Sequence, residues 1–480
     1  MNRRYLLAAA IGLAWVGTSA QAADPLPDSL SLGGVTLYGT VDIGYAYQSH
    51  GVPANGQFPG QLEYQAFTTT RNFAGSVSTF ASSGLEQSKI GVRVLEPIGN
   101  DWSLVARVET GINPLSGQLT DACASLATNS AYKQGQQTAN ADSSRCGQFF
   151  NSQAFGGMSN PTYGQLTIGR HNSLMLDALL TYDPQALSYA FSYFGYSGTV
   201  GGAGSTEAAR WDNSGRYWWQ NPNFHVGIMY SNGGADTGIL GKSYAGQLGI
   251  TFEGLSVDAV YENEKGAVNL RSSFDNNGIN PLTTSAGLSP TTGEPLPPPG
   301  LAAFISDDTE YGIMAKYTFD LGTGSQKDKL TLYAGYSHIQ KAYAAYNGGA
   351  AQGDYPIDVG ITIGNSAVYN VEWAGARYAF ASGLNLVASF IHIDQNSWTI
   401  NVLNGPQGLG CSAAGLLCAG DFWESAFVVD YVFNKHYDVY AGVNYSEVTD
   451  GLANGFPGTT VGTAGSQNQT TFMVGGRVKF

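Results

Sequence analysis

The sequence predicts an all-β chain: sixteen antiparallel strands closed into a transmembrane barrel, with tight turns at one end and long loops at the other. Three observations predict it. Apolar residues recur at every second position in segment after segment. Short and long connections alternate along the chain. Only 12% of the 480 residues are charged, while 43% are apolar and 12% aromatic. A soluble domain carries about twice that charge, and a disordered chain is short of aromatics. A sequence pI near 4.7 disfavours nucleic acid as a partner.

The chain opens on a segment that does not belong to the fold. Arg3 and Arg4 precede an apolar run, Leu6 to Val16, and Ala20-Gln21-Ala22 is a small-x-small cleavage site. Residues 1–22 read as a secretory signal peptide and 23–480 as the mature barrel. Removing the two arginines takes the formal charge from −14 to −16. No later stretch reaches the ~18 apolar residues of a spanning helix.

The strands follow in order. Val35, Leu37, Val41, Ile43, Tyr45 and Tyr47 share one face of the first. Ile90, Val92 and Val94 alternate with Lys89, Gly91 and Arg93. The same period-two pattern recurs at Phe224–Tyr230, Tyr244–Phe252, Tyr311–Phe319, Val439–Tyr445 and Phe472–Phe480. Short connections lie at Glu96–Asp101, Ser159–Gly164, Gln220–Asn223, Glu253–Gly254, Asp320–Asp328, Ala381–Gly383 and Asn434–His436. Long ones lie at 48–85, 113–148, 171–209, 232–242, 264–308, 341–366, 396–421 and 449–467. Seven short and eight long connections join sixteen strands, the even count and asymmetry of an outer-membrane barrel. Closure satisfies every backbone group in lipid.

Aromatics fall where two membrane interfaces should be: Phe252, Phe319, Phe433 and Phe480 near the short turns, and Tyr45, Tyr47, Tyr230 and Tyr261 near the long loops. Parity turns Lys89, Arg93, Arg107, Arg216, Lys316 and Arg477 inward, with Asp42, Glu109, Asp258, Glu262, Glu424 and Asp430. Facing lipid at midplane would cost an Arg or Lys about 2–4 kcal/mol. Arg170 shares parity with Leu166 and Ile168, so it faces inward only if its strand has ended or bulged. Glu372 and Arg377, five positions apart, require either a bulge or a position outside the lipid band. Tyr189, Phe191, Tyr193, Phe194 and Tyr196 form a dense aromatic run in the third long loop. Local packing suits it better than a solute-binding slide.

The four cysteines fall two to a loop, and within-loop bridging, Cys123 with Cys146 and Cys411 with Cys418, is the simplest of the three connectivities. The first bridge would contribute about 3 kcal/mol in the chain-entropy model. No histidine lies close to either pair, so neither a metal nor a cofactor is expected. Gly241-Lys242-Ser243 ends like a phosphate loop, but Asp236 stands where a glycine is required. No nucleophile-elbow or zincin motif is present, and no enzyme is expected.

Four stretches resemble the Gram-negative general porin family. They are Val35-Thr-Leu-Tyr-Gly-Thr-Val-Asp-Ile-Gly44, Ser88-Lys-Ile-Gly-Val-Arg93, Tyr163-Gly-Gln-Leu-Thr-Ile-Gly-Arg170, and Arg210 with Asp212-Asn-Ser-Gly-Arg-Tyr217 and Asn221-Pro-Asn-Phe224. The terminal Phe480 adds to them. The resemblance implies a homotrimer of water-filled barrels in outer-membrane lipid and lipopolysaccharide, passing ions and small hydrophilic solutes. It implies a third loop, 171–209, folded inward to narrow the pore. The matched basic wall is Lys89, Arg170 and Arg210, and the loop acids facing it are Asp177 and Asp183. Asp42, Arg93, Arg107, Glu109 and Arg216 would line the rest. The family's Pro-Glu-Phe-Gly-Gly loop motif is absent. With −16 on the mature chain, Glu109 on the inner wall and Asp177 and Asp183 facing it, weak cation selectivity is expected, held back by the basic cluster. A substrate-selective channel for a sugar or aromatic solute is the alternative on the same barrel. A surface barrel with an enzymatic or adhesive role is the third reading.

Overall fold

A computed structural model describes residues 30–49, 76–120, 147–196, 209–233, 242–270, 301–322, 327–344, 350–352, 355–402, 409–410, 419–450 and 466–480. All four cysteines, and the cleavage site after Ala22, lie outside the described residues.

Sixteen strands form the wall. They are β1 (Val35–Gln48), β2 (Val77–Ser82 continuing as Lys89–Gly99), β3 (Trp102–Asn113), β4 (Gln153–Asn160), β5 (Gly164–Asn172), β6 (Arg210–Gln220), β7 (Phe224–Ser231) and β8 (Ser243–Phe252). The second half comprises β9 (Leu255–Leu270), β10 (Leu301–Leu321), β11 (Asp328–Tyr343), β12 (Ala367–Ala379), β13 (Leu384–Gln395), β14 (Gly420–Asn434), β15 (Tyr437–Thr449) and β16 (Ser466–Lys479). Each pairs antiparallel with the next, and β16 returns to β1, placing Thr40 opposite Lys479 and Tyr47 opposite Phe472. The sheet therefore has no edge.

Six of the seven short turns fall where the sequence places them, and part of the seventh, Asp320–Asp328, lies outside the described residues. Two are two-residue hairpins with both central residues at positive φ: Asn100 and Asp101 at 52° and 62°, and Glu253 and Gly254 at 45° and 89°. That conformation suits the right-handed twist of paired strands. The outer face carries the apolar set, with Ile168 69%, Val474 58% and Leu248 58% exposed, and both aromatic groups point outward.

The structure differs from the sequence reading in three places and settles a choice left open on β12. β2 begins at Val77, within the expected loop 48–85. It leaves the wall at 83–88 and resumes at Lys89, both pieces pairing with β1. β9 and β10 run well into the expected loop 264–308. Tyr355–Asn365 and Thr399–Val402, both expected as loop, form a ribbon beyond the wall. β12 pairs without a bulge, so Arg377 faces the lumen and Glu372 the outside.

The inner wall is not uniformly polar. Met314, Ile339, Val371, Trp373, Ile391 and Phe422 all face inward and are nearly inaccessible. They pack on the third loop, whose helix α1 (Leu174–Tyr182) buries Leu174, Met175 and Leu179 against them. An inward apolar face would be unfavourable against water. Here the loop covers it and makes a dry core inside the barrel.

Candidate functional site in the barrel lumen

The third loop is tied to the wall at both ends of α1. Ser173 caps the helix, its Oγ accepting from Leu176 N at 3.1 Å. Glu262 accepts from Met175 N at 2.8 Å, so a carboxylate meets the positive end of the helix dipole. At the other end Trp373 Nε1 donates to Tyr182 O (3.1 Å), Lys316 Nζ to Thr181 O (3.4 Å) and Arg377 Nη2 to Pro184 O (3.1 Å). Two cations thus meet the carbonyl end. Further along, Gln185 donates to Ser389 Oγ, and Tyr193 N to Glu424 Oε1 at 2.8 Å. The aromatic run packs on the wall: Phe194 on Trp373, Tyr193 on Phe422 and Phe191 on Tyr440.

The loop ends against residues 83–88, a knot of β2 turned into the lumen. Gly84 O accepts from Ser188 Oγ (2.7 Å) and Ala190 N (2.9 Å). Asp42 holds the knot from beneath. Its Oδ2 accepts from Leu85 N (2.7 Å) and Glu86 N (2.9 Å), and its Oδ1 from Tyr440 Oη (2.6 Å). Gly84 is required there, because a Cβ would sit 2.0 Å from Tyr440 Oη.

Beside the knot lies a charged wall from β1, β2, β3 and β16. Lys89 pairs with Glu86 at 2.9 Å. Arg107 pairs with Glu109 at 2.6 Å, and both bond Tyr38 Oη. Arg93 lies over the Tyr38 ring, 6.0 Å from its centroid. Arg477 bonds Asp438 at 2.7 Å and approaches Glu86 at 3.7 Å. Among the described residues, Arg93, Lys316 and Arg377 have no carboxylate within ion-pair distance.

The sequence-derived constriction does not assemble as one group. Lys89, Arg93, Arg107 and Glu109 share this wall. Arg170 does not join them. Its ladder with β4 is unshifted and leaves it opposite Ala154 with the parity of the exposed Leu166 and Ile168, the register shift at Gly169/His171 falling on the β6 side, and it bonds Asp212 at 2.6 Å and Asn151 O. Arg210 is buried opposite Asn172 at the start of β6. Asp177 is paired with Arg216 and accepts from Asn172 Nδ2. Asp183 is 2% exposed and closes α1, accepting from Gln185 N and Leu187 N. Burial raises its carboxyl above the usual range. Asp42 is fully buried under the knot and does not line open lumen. The sequence reading missed Glu86 and Tyr38. Ser82-Ser83-Gly84, a turn signal just before Lys89, is the trace the knot leaves in the sequence.

A closed barrel with an apolar outside, a charged lumen and a loop strapped across it is a multi-pass outer-membrane channel for passive diffusion. The chain belongs to the Gram-negative porin family, whose model matches residues 7–451. Among solved structures, the fold is similar to the anion-selective porin of Comamonas acidovorans: 16% identity, 93% of this chain, 99% of that one, TM-score 0.55. It is similar also to a loop L8 deletion mutant of OmpT of Vibrio cholerae, at 13% identity over 93% and 99% of the two chains and TM-score 0.52. The in-vitro folded trimer form of OmpT matches at 14%, 94%, 100% and 0.50. No curated protein matches the sequence.

Proposed function

We propose that residues 23–480 form a homotrimeric, non-enzymatic porin in outer-membrane lipid and lipopolysaccharide, passing ions and small hydrophilic solutes through three separate barrels. The trimer form of OmpT, to which the fold is similar, supports the oligomer. Unheated detergent electrophoresis reads the trimer. Intact mass reads a start at Ala23, and peptide mapping without reduction reads the bridges Cys123–Cys146 and Cys411–Cys418.

The lumen geometry supports a weak anion preference, in place of the cation preference expected from the sequence. That expectation counted Asp177 and Asp183 among the charges facing the throat, and both are spent within the loop and on Arg216. Arg93, Lys316 and Arg377 are left without carboxylate partners on the inner wall. In a narrow throat, fixed charges within the ~8 Å Debye length act on a passing ion, while distant loop charges are screened. The single observation that carries the reading is that these three cations are unpaired on the described wall, while wall carboxylates such as Asp42, Glu262, Glu310 and Glu424 are buried at 0–4% exposure. A zero-current potential in a KCl gradient is expected on the chloride side. A potential on the potassium side would overturn the preference and leave the channel standing.

A further inference from the structure

We infer that the acidic side of this pore's constriction is carried by Glu86 on the inward knot of β2, and that this carboxylate limits the anion preference of the throat. The inference rests on the channel reading above. The third loop cannot supply that side over 174–196. Its only two carboxylates there are Asp177 and Asp183, 4% and 2% exposed and both hydrogen-bonded. What α1 and the following turn expose is Leu180, Thr181 and Ala186, with no charge among them.

The knot is built as a rigid carrier. The chain leaves the wall at Ser83, at φ 65°. Ser83 Oγ accepts from Ser88 N at 2.9 Å, closing the excursion, and Ser88 Oγ donates to Asp42 O. Glu86 is pinned through its own N–H to Asp42 Oδ2, and Gly84 O is held by the third loop. The anchor is therefore the backbone, and the side chain is free to act on solute. Glu86 has 31% of its side chain exposed. Glu109, saturated by Arg107 and Tyr38, has 7%, and Asp438 has 2%. Of the carboxylates on this wall, Glu86 is the one that meets lumen water. It sits between Lys89 on β2 and Arg477 on β16, 2.9 Å and 3.7 Å away, and offsets both.

Neutralising it removes the carboxylate paired with Lys89 and leaves Arg477 to Asp438 and Asp430. In a KCl gradient, Glu86→Gln should raise the chloride-to-potassium permeability ratio about threefold, the effect of one unit charge at several ångströms in water. Glu86→Lys should move it further the same way, and Glu86→Asp should keep the wild-type ratio. Because the knot is anchored by backbone, all three variants should migrate as the wild type does in unheated electrophoresis. Wild-type ratios in both Glu86→Gln and Glu86→Lys would overturn the assignment. So would a Glu86→Asp shift as large as that of Glu86→Gln. A wild-type protein that does not conduct would instead remove the channel reading.

Discussion

Trp373→Ala will enlarge the pore. The indole is 3% exposed, stacks edge-on against Phe194 with centroids 5.2 Å apart, and donates Nε1 to Tyr182 O. It also covers Gly335, where a Cβ would lie 2.0 Å from Cζ2. One side chain thus holds the carbonyl end of α1 and the aromatic run beyond it. Truncating a buried Trp to Ala typically costs about 3–5 kcal/mol. The barrel wall has its own closed hydrogen-bond ladder, so the loss falls on the loop. Single-channel steps in KCl should become larger and noisier than wild type. Trp373→Phe, which keeps packing and loses the hydrogen bond, should fall between. Unchanged steps in Trp373→Ala would show that Glu262, Glu424 and Gly84 hold the loop without it.

Lys89→Glu will move the throat towards cations. The substitution changes the wall by two charge units beside Glu86, adding a second carboxylate next to it where Lys89 had offset the first. The chloride-to-potassium permeability ratio should fall about tenfold at low salt, and less at high salt as screening shortens the reach of fixed charge. The zero-current potential read at two ionic strengths checks both parts. An unchanged potential at low salt would place Lys89 away from the ion path.

The wall was legible because lipid on one side and water on the other impose a period of two, and the tight turns carry Asn100-Asp101 and Glu253-Gly254 as their own signals. The outward girdles were legible for the same reason. What the sequence concealed lies where that two-solvent rule fails. On β12 and β13 both faces are apolar in places, as at Val371, Trp373, Ile391 and Ile393, because the third loop replaces water on the inner side. The knot was hidden because Ser82-Ser83-Gly84 reads equally as the end of a long loop. Arg170 was undecided on parity alone, and its unshifted pairing with Ala154 on β4 decides it. Asp177 and Asp183 were visible as acids, but nothing in their spacing shows that α1 turns one to Arg216 and uses the other as a cap.

Each barrel holds an open, water-filled path for solute. Purified, refolded protein added to a planar bilayer in KCl tests it most directly. The account predicts stepwise current that rises linearly with voltage and salt, with no sugar of a tested panel saturating the path. Folded, membrane-inserted protein that stays electrically silent, or current blocked to completion by one sugar, would contradict it.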